Sequence, residues 1–81
     1  MNRIQIYSAD NCPWCARAKA LLQTRGLDFE EIDIGADQKR AQEMIERSGR
    51  RTVPQIFIDG EHIGGFDEFS KLELTEMPAC N

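Results

Sequence analysis

Residues 3–22 read RIQIYSADNCPWCARAKALL, and this stretch decides the fold. Apolar and polar residues alternate over residues 3–8, which is typical of a β-strand. Residues 10–13 break that pattern and place Pro13 at the first position of a helix, where its missing N–H costs no hydrogen bond. The segment that follows is rich in alanine and leucine and continues as a helix until Gly26. A strand therefore leads directly into a helix, with two cysteines at the junction.

The next predicted elements are a second strand and a second helix. Residues 27–34 form the strand, but its apolar spacing breaks between Phe29 and Ile32, so its register stays open. Asp37 is the expected N-cap of the helix, which reaches Arg47 and is ended by Ser48-Gly49. The predicted inner face of this helix carries Ala41, Met44, Ile45 and Ser48.

The last predicted elements are a hairpin and a short helix. Residues 53–63 contain two apolar runs separated by Asp59-Gly60, a strong signal for a hairpin turn. Residues 66–74 form the third helix. The order β-α-β-α-β-β-α begins with a crossover that implies two parallel strands, and the hairpin adds antiparallel ones. The expected fold is thus α/β, a mixed four-stranded sheet with three helices.

Length and charge limit the classes of function. The 81 residues predict a single domain, 1–81, with a loose tail at about 75–81. The net charge of −4 is the wrong sign for a protein that wraps nucleic acid or lies on anionic lipid. No apolar run is long enough for a membrane span or a signal peptide. The three cysteines are too few for a secreted disulfide scaffold, so we expect a cytoplasmic protein. We also expect a monomer.

The spacing of Cys12 and Cys15 predicts a redox-active dithiol. Residues three apart face the same side of a helix, so the two sulfurs can bond with little movement of the backbone. An ordinary thiol is only about 3% thiolate at pH 7, and lowering its pKa by two units requires ~2.7 kcal/mol. A helix dipole supplies ~0.3–1 kcal/mol, so hydrogen bonds to the Cys12 sulfur must contribute as well. Cys15, one turn further into the helix, is the second thiol to react.

Two other interpretations of the cysteines are weaker. Both could be small buried hydrophobic residues, but their place at a strand-to-helix junction argues against it. Cys12, Cys15, His62 and Cys80 could in principle hold zinc as a Cys₃His set. However, Cys80 lies in the polar tail and His62 on the hairpin, without a second ligand pair at regular spacing.

Three separated motifs resemble the glutaredoxins over nearly the whole chain. They are Cys12-Pro13-Trp14-Cys15, Thr52-Val53-Pro54 and Gly64-Gly65-Phe66-Asp67. The resemblance implies a thioredoxin-like fold and a thiol–disulfide oxidoreductase that reduces protein disulfides and glutathione mixed disulfides. It makes glutathione the co-substrate, with no tightly bound cofactor and no metal. The expected partners are therefore glutathione and disulfide-bonded or glutathionylated proteins.

The same resemblance assigns residues to the two tasks of the site. Cys12 and Cys15 are implied to be catalytic, with a cis peptide bond before Pro54 that lets the Val53 main chain hold the cysteine of glutathione. Asp67 is implied to face the ammonium group at the γ-glutamyl end of glutathione. The full set of implied glutathione contacts is Trp14, Arg40, Thr52, Val53, Pro54, Gly65, Phe66 and Asp67.

The chain departs from the family pattern at two positions. Many relatives have a lysine where this chain has Ala9, and a polar or basic residue where it has Ala41. Arg40 or Arg51 could supply the missing charge, whereas Arg47 and Arg50 can be explained as complementing a helix C-terminus. Two alternative functions therefore stay open: a redoxin reduced by thioredoxin reductase, and a glutathione-ligated [2Fe–2S] scaffold dimer.

Overall fold

The structure is a computed structural model that describes residues 3–72. The elements follow the predicted order: β1 (Ile4–Ser8), α1 (Pro13–Thr24), β2 (Glu30–Asp33), α2 (Gln38–Ser48), β3 (Gln55–Ile58), β4 (Glu61–Gly64) and α3 (Phe66–Lys71). The expected tail, and with it Cys80 and the last residues of the predicted third helix, lie outside the described residues.

The four strands form one mixed sheet in the order β2-β1-β3-β4. β1 is parallel to β2 and antiparallel to β3, which pairs with β4 as the predicted hairpin. Every residue of the central strands β1 and β3 is buried. This arrangement confirms the predicted sheet and brings the C-terminal end of β1 next to the start of β3, where Tyr7 is the partner of Gln55.

Two apolar clusters cover the two faces of the sheet, because successive side chains of a strand point in opposite directions. The first cluster contains Ile4, Ile6, Ala18, Leu22, Ile56, Ile58 and Phe69. The second contains Tyr7, Ile32, Met44 and Phe57. Phe29 packs against the first cluster and Ile32 belongs to the second, which explains the broken spacing in the sequence. β2 begins only at Glu30, three residues later than the predicted strand.

The helix ends follow local signals in the sequence. The Asp37 carboxylate accepts the N–H of Lys39 at 2.9 Å, and Gly49 ends α2 with a φ of 72°. Arg25, the C-cap of α1, donates to the carbonyl oxygens of Phe69 and Ser70 at 3.3 and 3.2 Å. This guanidinium ties α3 to α1, the helix whose N-terminus carries the cysteines.

Candidate active site

Cys12 and Cys15 stand at the N-terminus of α1, directly after β1. Cys12 is the N-cap, and its Sγ accepts the backbone N–H of Cys15 at 3.1 Å. The two Cα atoms are 5.2 Å apart and the sulfurs are at disulfide distance. Cys12 is partly exposed, whereas Cys15 is only 1% exposed. The outer sulfur is thus the one that a substrate can reach.

The loop before β3 lies against the outer sulfur. Cys12 Sγ is 3.8 Å from the carbonyl oxygen of Val53, and the Val53–Pro54 peptide bond is cis, as the resemblance implied. Among residues 3–72, the Val53 amide has no hydrogen-bond partner. A main-chain donor and a main-chain acceptor therefore stand beside the reactive sulfur.

A groove of about 190 Å³ extends from this loop to the start of α3. It brings together seven of the eight predicted binding residues: Trp14, Thr52, Val53, Pro54, Gly65, Phe66 and Asp67. It is also lined by Arg50, Gln55 and Glu68, which sequence reasoning did not assign to the site. Their only signal in the sequence is nearness to the Thr52-Val53-Pro54 and Gly65-Phe66-Asp67 motifs.

Arg40 is the predicted contact that the structure does not bring to the groove. Its Nε lies 3.4 Å from the Glu43 carboxylate, one turn along α2. Arg50, which could be explained from sequence as a complement to the end of α2, instead follows the Gly49 cap and lines the groove. The left-handed backbone at Gly49 redirects the chain, so the position of Arg50 does not follow from the helical spacing of α2.

Glu68 organises one wall of the groove. Its Oε1 accepts the N–H of Gly65 at 2.7 Å and the Nη1–H of Arg50 at 2.9 Å. The Gly65 amide, and after it the Arg50 guanidinium, lower the pKa of the Glu68 carboxyl. Arg50 and Glu68 therefore largely neutralise each other, and the Asp67 carboxylate beside them is exposed.

The other side of the groove is aromatic. Trp14 is 49% exposed, and its ring centroid lies 5.5 Å from that of Phe66. The Arg17 guanidinium lies 4.7 Å from the centroid of the same indole. A flat apolar surface beside the dithiol can contact the backbone of a bound peptide.

The described part of the chain offers neither a cluster of metal ligands nor a helix that could span a membrane. Residues 3–72 contain no group of three or more His, Cys, Asp or Glu side chains placed to hold a metal. His62, a ligand in the zinc alternative, has its Nε2 2.7 Å from Gln55 Oε1. None of the three described helices has the length and apolar character that a membrane span needs.

The fold and the site together define a class of protein. A dithiol at the N-terminus of α1, opposite a cis-proline loop in a mixed four-stranded sheet, is the arrangement of a thioredoxin-fold thiol–disulfide oxidoreductase. The sequence matches the glutaredoxin family model over residues 4–63. The chain belongs to the glutaredoxin family.

Individual relatives agree with this assignment. The chain is 51% identical to glutaredoxin 3 of Escherichia coli over 73 residues, covering 90% of this chain and 88% of that one. The solution structure of a glutaredoxin from Brucella melitensis is similar with a TM-score of 0.73 and 51% identity, over 84% of this chain and 74% of that one. A buckwheat glutaredoxin–glutathione complex is similar with a TM-score of 0.78 and 30% identity, over 86% and 66% of the respective chains.

Proposed function

We propose that this glutaredoxin uses glutathione as its co-substrate and reduces protein disulfides and glutathione mixed disulfides through Cys12 and Cys15. The observation that carries the proposal is the groove, because it is lined both by Val53, whose carbonyl oxygen lies 3.8 Å from Cys12 Sγ, and by Asp67. The glutathione complex of the buckwheat neighbour supports the same ligand class. We assign no tightly bound cofactor.

Cys12 is the proposed nucleophile. In the oxidised form its Sγ already accepts the Cys15 amide at 3.1 Å, and after reduction the same N–H can stabilise a thiolate. The dipole of α1, a helix of 12 residues, favours a negative charge at the same place. Partial exposure of Cys12 leaves room for an incoming disulfide.

Glutathione fits the groove as a short extended peptide. Its cysteine can pair with the main chain of Val53, in the manner of a strand added to a sheet edge. Its γ-glutamyl ammonium can meet the Asp67 carboxylate in a charge-assisted hydrogen bond. Arg50 is the cation among the described groove-lining residues, and its guanidinium keeps N–H donors beyond the Nη1–H that it gives to Glu68. We therefore assign contact with a glutathione carboxylate to Arg50 rather than to Arg40.

The reaction consists of thiol–disulfide exchanges. The Cys12 thiolate attacks a substrate disulfide, forms a mixed disulfide and releases one substrate thiolate, which takes up a proton. Cys15 then loses its proton and attacks Cys12 Sγ, which forms the Cys12–Cys15 disulfide and releases the second substrate thiolate. Two molecules of glutathione reduce that disulfide and leave as oxidised glutathione. When the partner is already glutathionylated, glutathione can attack the mixed disulfide at Cys12 directly.

The proposed setting follows from this chemistry. Glutathione acts as a reductant in the cytoplasm, where its pool keeps thiols reduced, so we assign the protein to that compartment. We propose that it acts as a monomer, since the dithiol and the groove are both built from one chain.

Single cysteine substitutions test the assignment of the nucleophile. Both are made in a Cys80→Ser background, and that background alone is the control. Cys12→Ser is expected to abolish all turnover. Cys15→Ser is expected to retain turnover of a glutathionylated peptide with glutathione reductase and to lose reduction of protein disulfides. Substantial activity of Cys12→Ser, or turnover supported by thioredoxin reductase in place of glutathione, would contradict the proposal.

A further inference from the structure

A second cavity, separate from the groove, opens beside the disulfide. It has a volume of about 510 Å³ and is lined by both cysteines together with polar side chains from β1, α1 and β2. Within the described chain it shares no lining residue with the groove. This cavity, and not the groove, is the one that the Cys15 side chain lines.

A hydrogen-bonded network of three side chains lies in this cavity. Glu31 Oε2 accepts from Lys19 Nζ and from Ser8 Oγ, both at 2.8 Å. Ser8 is 1% exposed, and the Lys19 side chain is 32% exposed. The hydrogen bond from Lys19, and then the one from Ser8, lower the pKa of the Glu31 carboxyl. The carboxylate is thus charged at neutral pH and fixes the ammonium group in place.

The network stands close to the thiol that reacts second. Lys19 follows Cys15 by four residues on α1, and residues at this spacing are neighbours on one helix face. Among the described residues that line the cavity, Lys19 is the one cation, and the acidic groups are Asp10, Glu31 and Asp33. Asp33 accepts the N–H of Gly35 at 2.8 Å, and Asp10 is exposed to solvent.

The resolving step needs a favourable charge at this place. Cys15 is 1% exposed, and burial disfavours a thiolate. Ala9, at the lip of the same cavity, offers no charge. An ammonium one helical turn from the sulfur can offset part of the cost of forming the Cys15 thiolate.

We propose that Lys19, held by Glu31 and Ser8, is a positioning residue that stabilises the Cys15 thiolate as it attacks the mixed disulfide at Cys12. The inference rests on the proposed role of Cys15 as the resolving thiol. In this step Cys15 gives its proton to water in the cavity, and its sulfur is oxidised as the bond to Cys12 Sγ forms. The departing sulfur of the substrate is reduced and takes up a proton.

The test compares substitutions that break the same ion pair but remove opposite charges. Lys19→Met removes the ammonium and is expected to raise the Cys15 pKa by about half a unit to one unit. Glu31→Gln removes the counter-charge, while its amide oxygen can still accept from Lys19, so the Cys15 pKa is expected to fall. Lys19→Arg is expected to behave like the parent protein. Lys39→Met, on the exposed side of α2, is the control for a lost surface lysine.

Two measurements follow these variants in a Cys80→Ser background. For the first, each variant also carries Cys12→Ser, which removes the coupling between the two thiols. The Cβ chemical shift of ¹³C-labelled Cys15 is then followed as a function of pH. Formation of the internal disulfide after mixing with oxidised glutathione is followed by fluorescence of Trp14, the one tryptophan of the chain. Lys19→Met should slow this step about two- to fourfold. A higher pKa leaves less Cys15 thiolate, but each thiolate is more nucleophilic, which offsets part of the loss.

The directions of the Cys15 pKa shifts in Lys19→Met and Glu31→Gln separate a positioning role of Lys19 from a structural one. If Lys19→Met and Glu31→Gln shift the Cys15 pKa in the same direction, or if Lys19→Met shifts neither the pKa nor the rate, the proposal is overturned. That result is distinct from failure of the proposed function. The latter would appear as activity in Cys12→Ser or as the absence of glutathione-dependent turnover in the parent protein.

Discussion

Asp67 is exposed at the far end of the groove, and its carboxylate is the group we assign to the ammonium of glutathione. Asp67→Ala removes this charge-assisted hydrogen bond, and such bonds are worth ~1.5–3 kcal/mol. We expect the apparent affinity for glutathione to fall about tenfold or more, with the fold unchanged. Glutathione-dependent turnover measures the effect, and Asp28→Ala, an equal loss of charge in an exposed loop, is the control. An unaltered glutathione dependence would leave Asp67 with no role in binding.

Ala9 and Cys12 both line the second cavity, and Ala9 carries no charge. Ala9→Lys places an ammonium near the outer sulfur, so we expect it to lower the pKa of Cys12. The shift should shrink as salt is added, because the new charge is close to solvent. The pH dependence of alkylation at Cys12 measures it, and Ala9→Gln controls for the added bulk. A Cys12 pKa that does not move would show that a side chain at position 9 points away from the sulfur.

At the scale of elements, α3 depends on contacts outside itself. It has six residues, too few for a helix that is stable alone, and its N-cap Gly65 has no side chain to accept a hydrogen bond. Glu68 compensates by accepting the Gly65 N–H and pairing with Arg50, which follows the end of α2. One carboxylate thus joins the start of α3 to the loop before β3.

Glu68→Ala is expected to lower the free energy of unfolding by about 1 kcal/mol, because it removes the cap and an exposed ion pair. Glu68→Gln keeps an acceptor for both donors and should lose less. Urea denaturation of the oxidised protein measures both variants. Equal losses in the two variants would mean that charge, and not the hydrogen bond to Gly65, holds the helix.

At the scale of the whole molecule, several groups titrate at lower pH in the folded than in the unfolded state. The pKa of His62 is lowered by burial and then by the charge of Arg50. Hydrogen bonds from Lys19 and Ser8 lower the pKa of Glu31. In each case the unfolded chain takes up its proton first as the pH falls, so acidification favours unfolding.

Stability is therefore expected to decline in two stages as the pH is lowered. The first begins below the ordinary His62 pKa of 6.5, and the second below the ordinary glutamate pKa of 4.5. Urea unfolding at a series of pH values measures the decline. In His62→Gln the first stage should flatten while the second stays. A slope between pH 6.5 and 5 that is identical in this variant would contradict the assignment to His62.

The order of elements, the junction of β1 with α1, and the ends of α2 could all be predicted from the sequence. These features depend on neighbours in the chain: alternation over residues 3–8, a proline after Cys12, a carboxylate at Asp37 and a glycine at position 49. Most of the groove could also be predicted, because its residues belong to motifs of the glutaredoxin family.

Only the tertiary structure decided which charged side chains line the groove and the cavity beside the dithiol. Arg40 pairs with Glu43 within α2 and does not line the groove, while the chain beyond Gly49 carries Arg50 into it. The meeting of Lys19 with Glu31 joins residues on α1 and β2, and no spacing within either element encodes it. The backbone hydrogen bonds of helices and their caps are satisfied within a few residues, so the local sequence determines them directly. Contacts between side chains of different elements depend on how helices lie against the sheet, and only the packed core fixes that geometry.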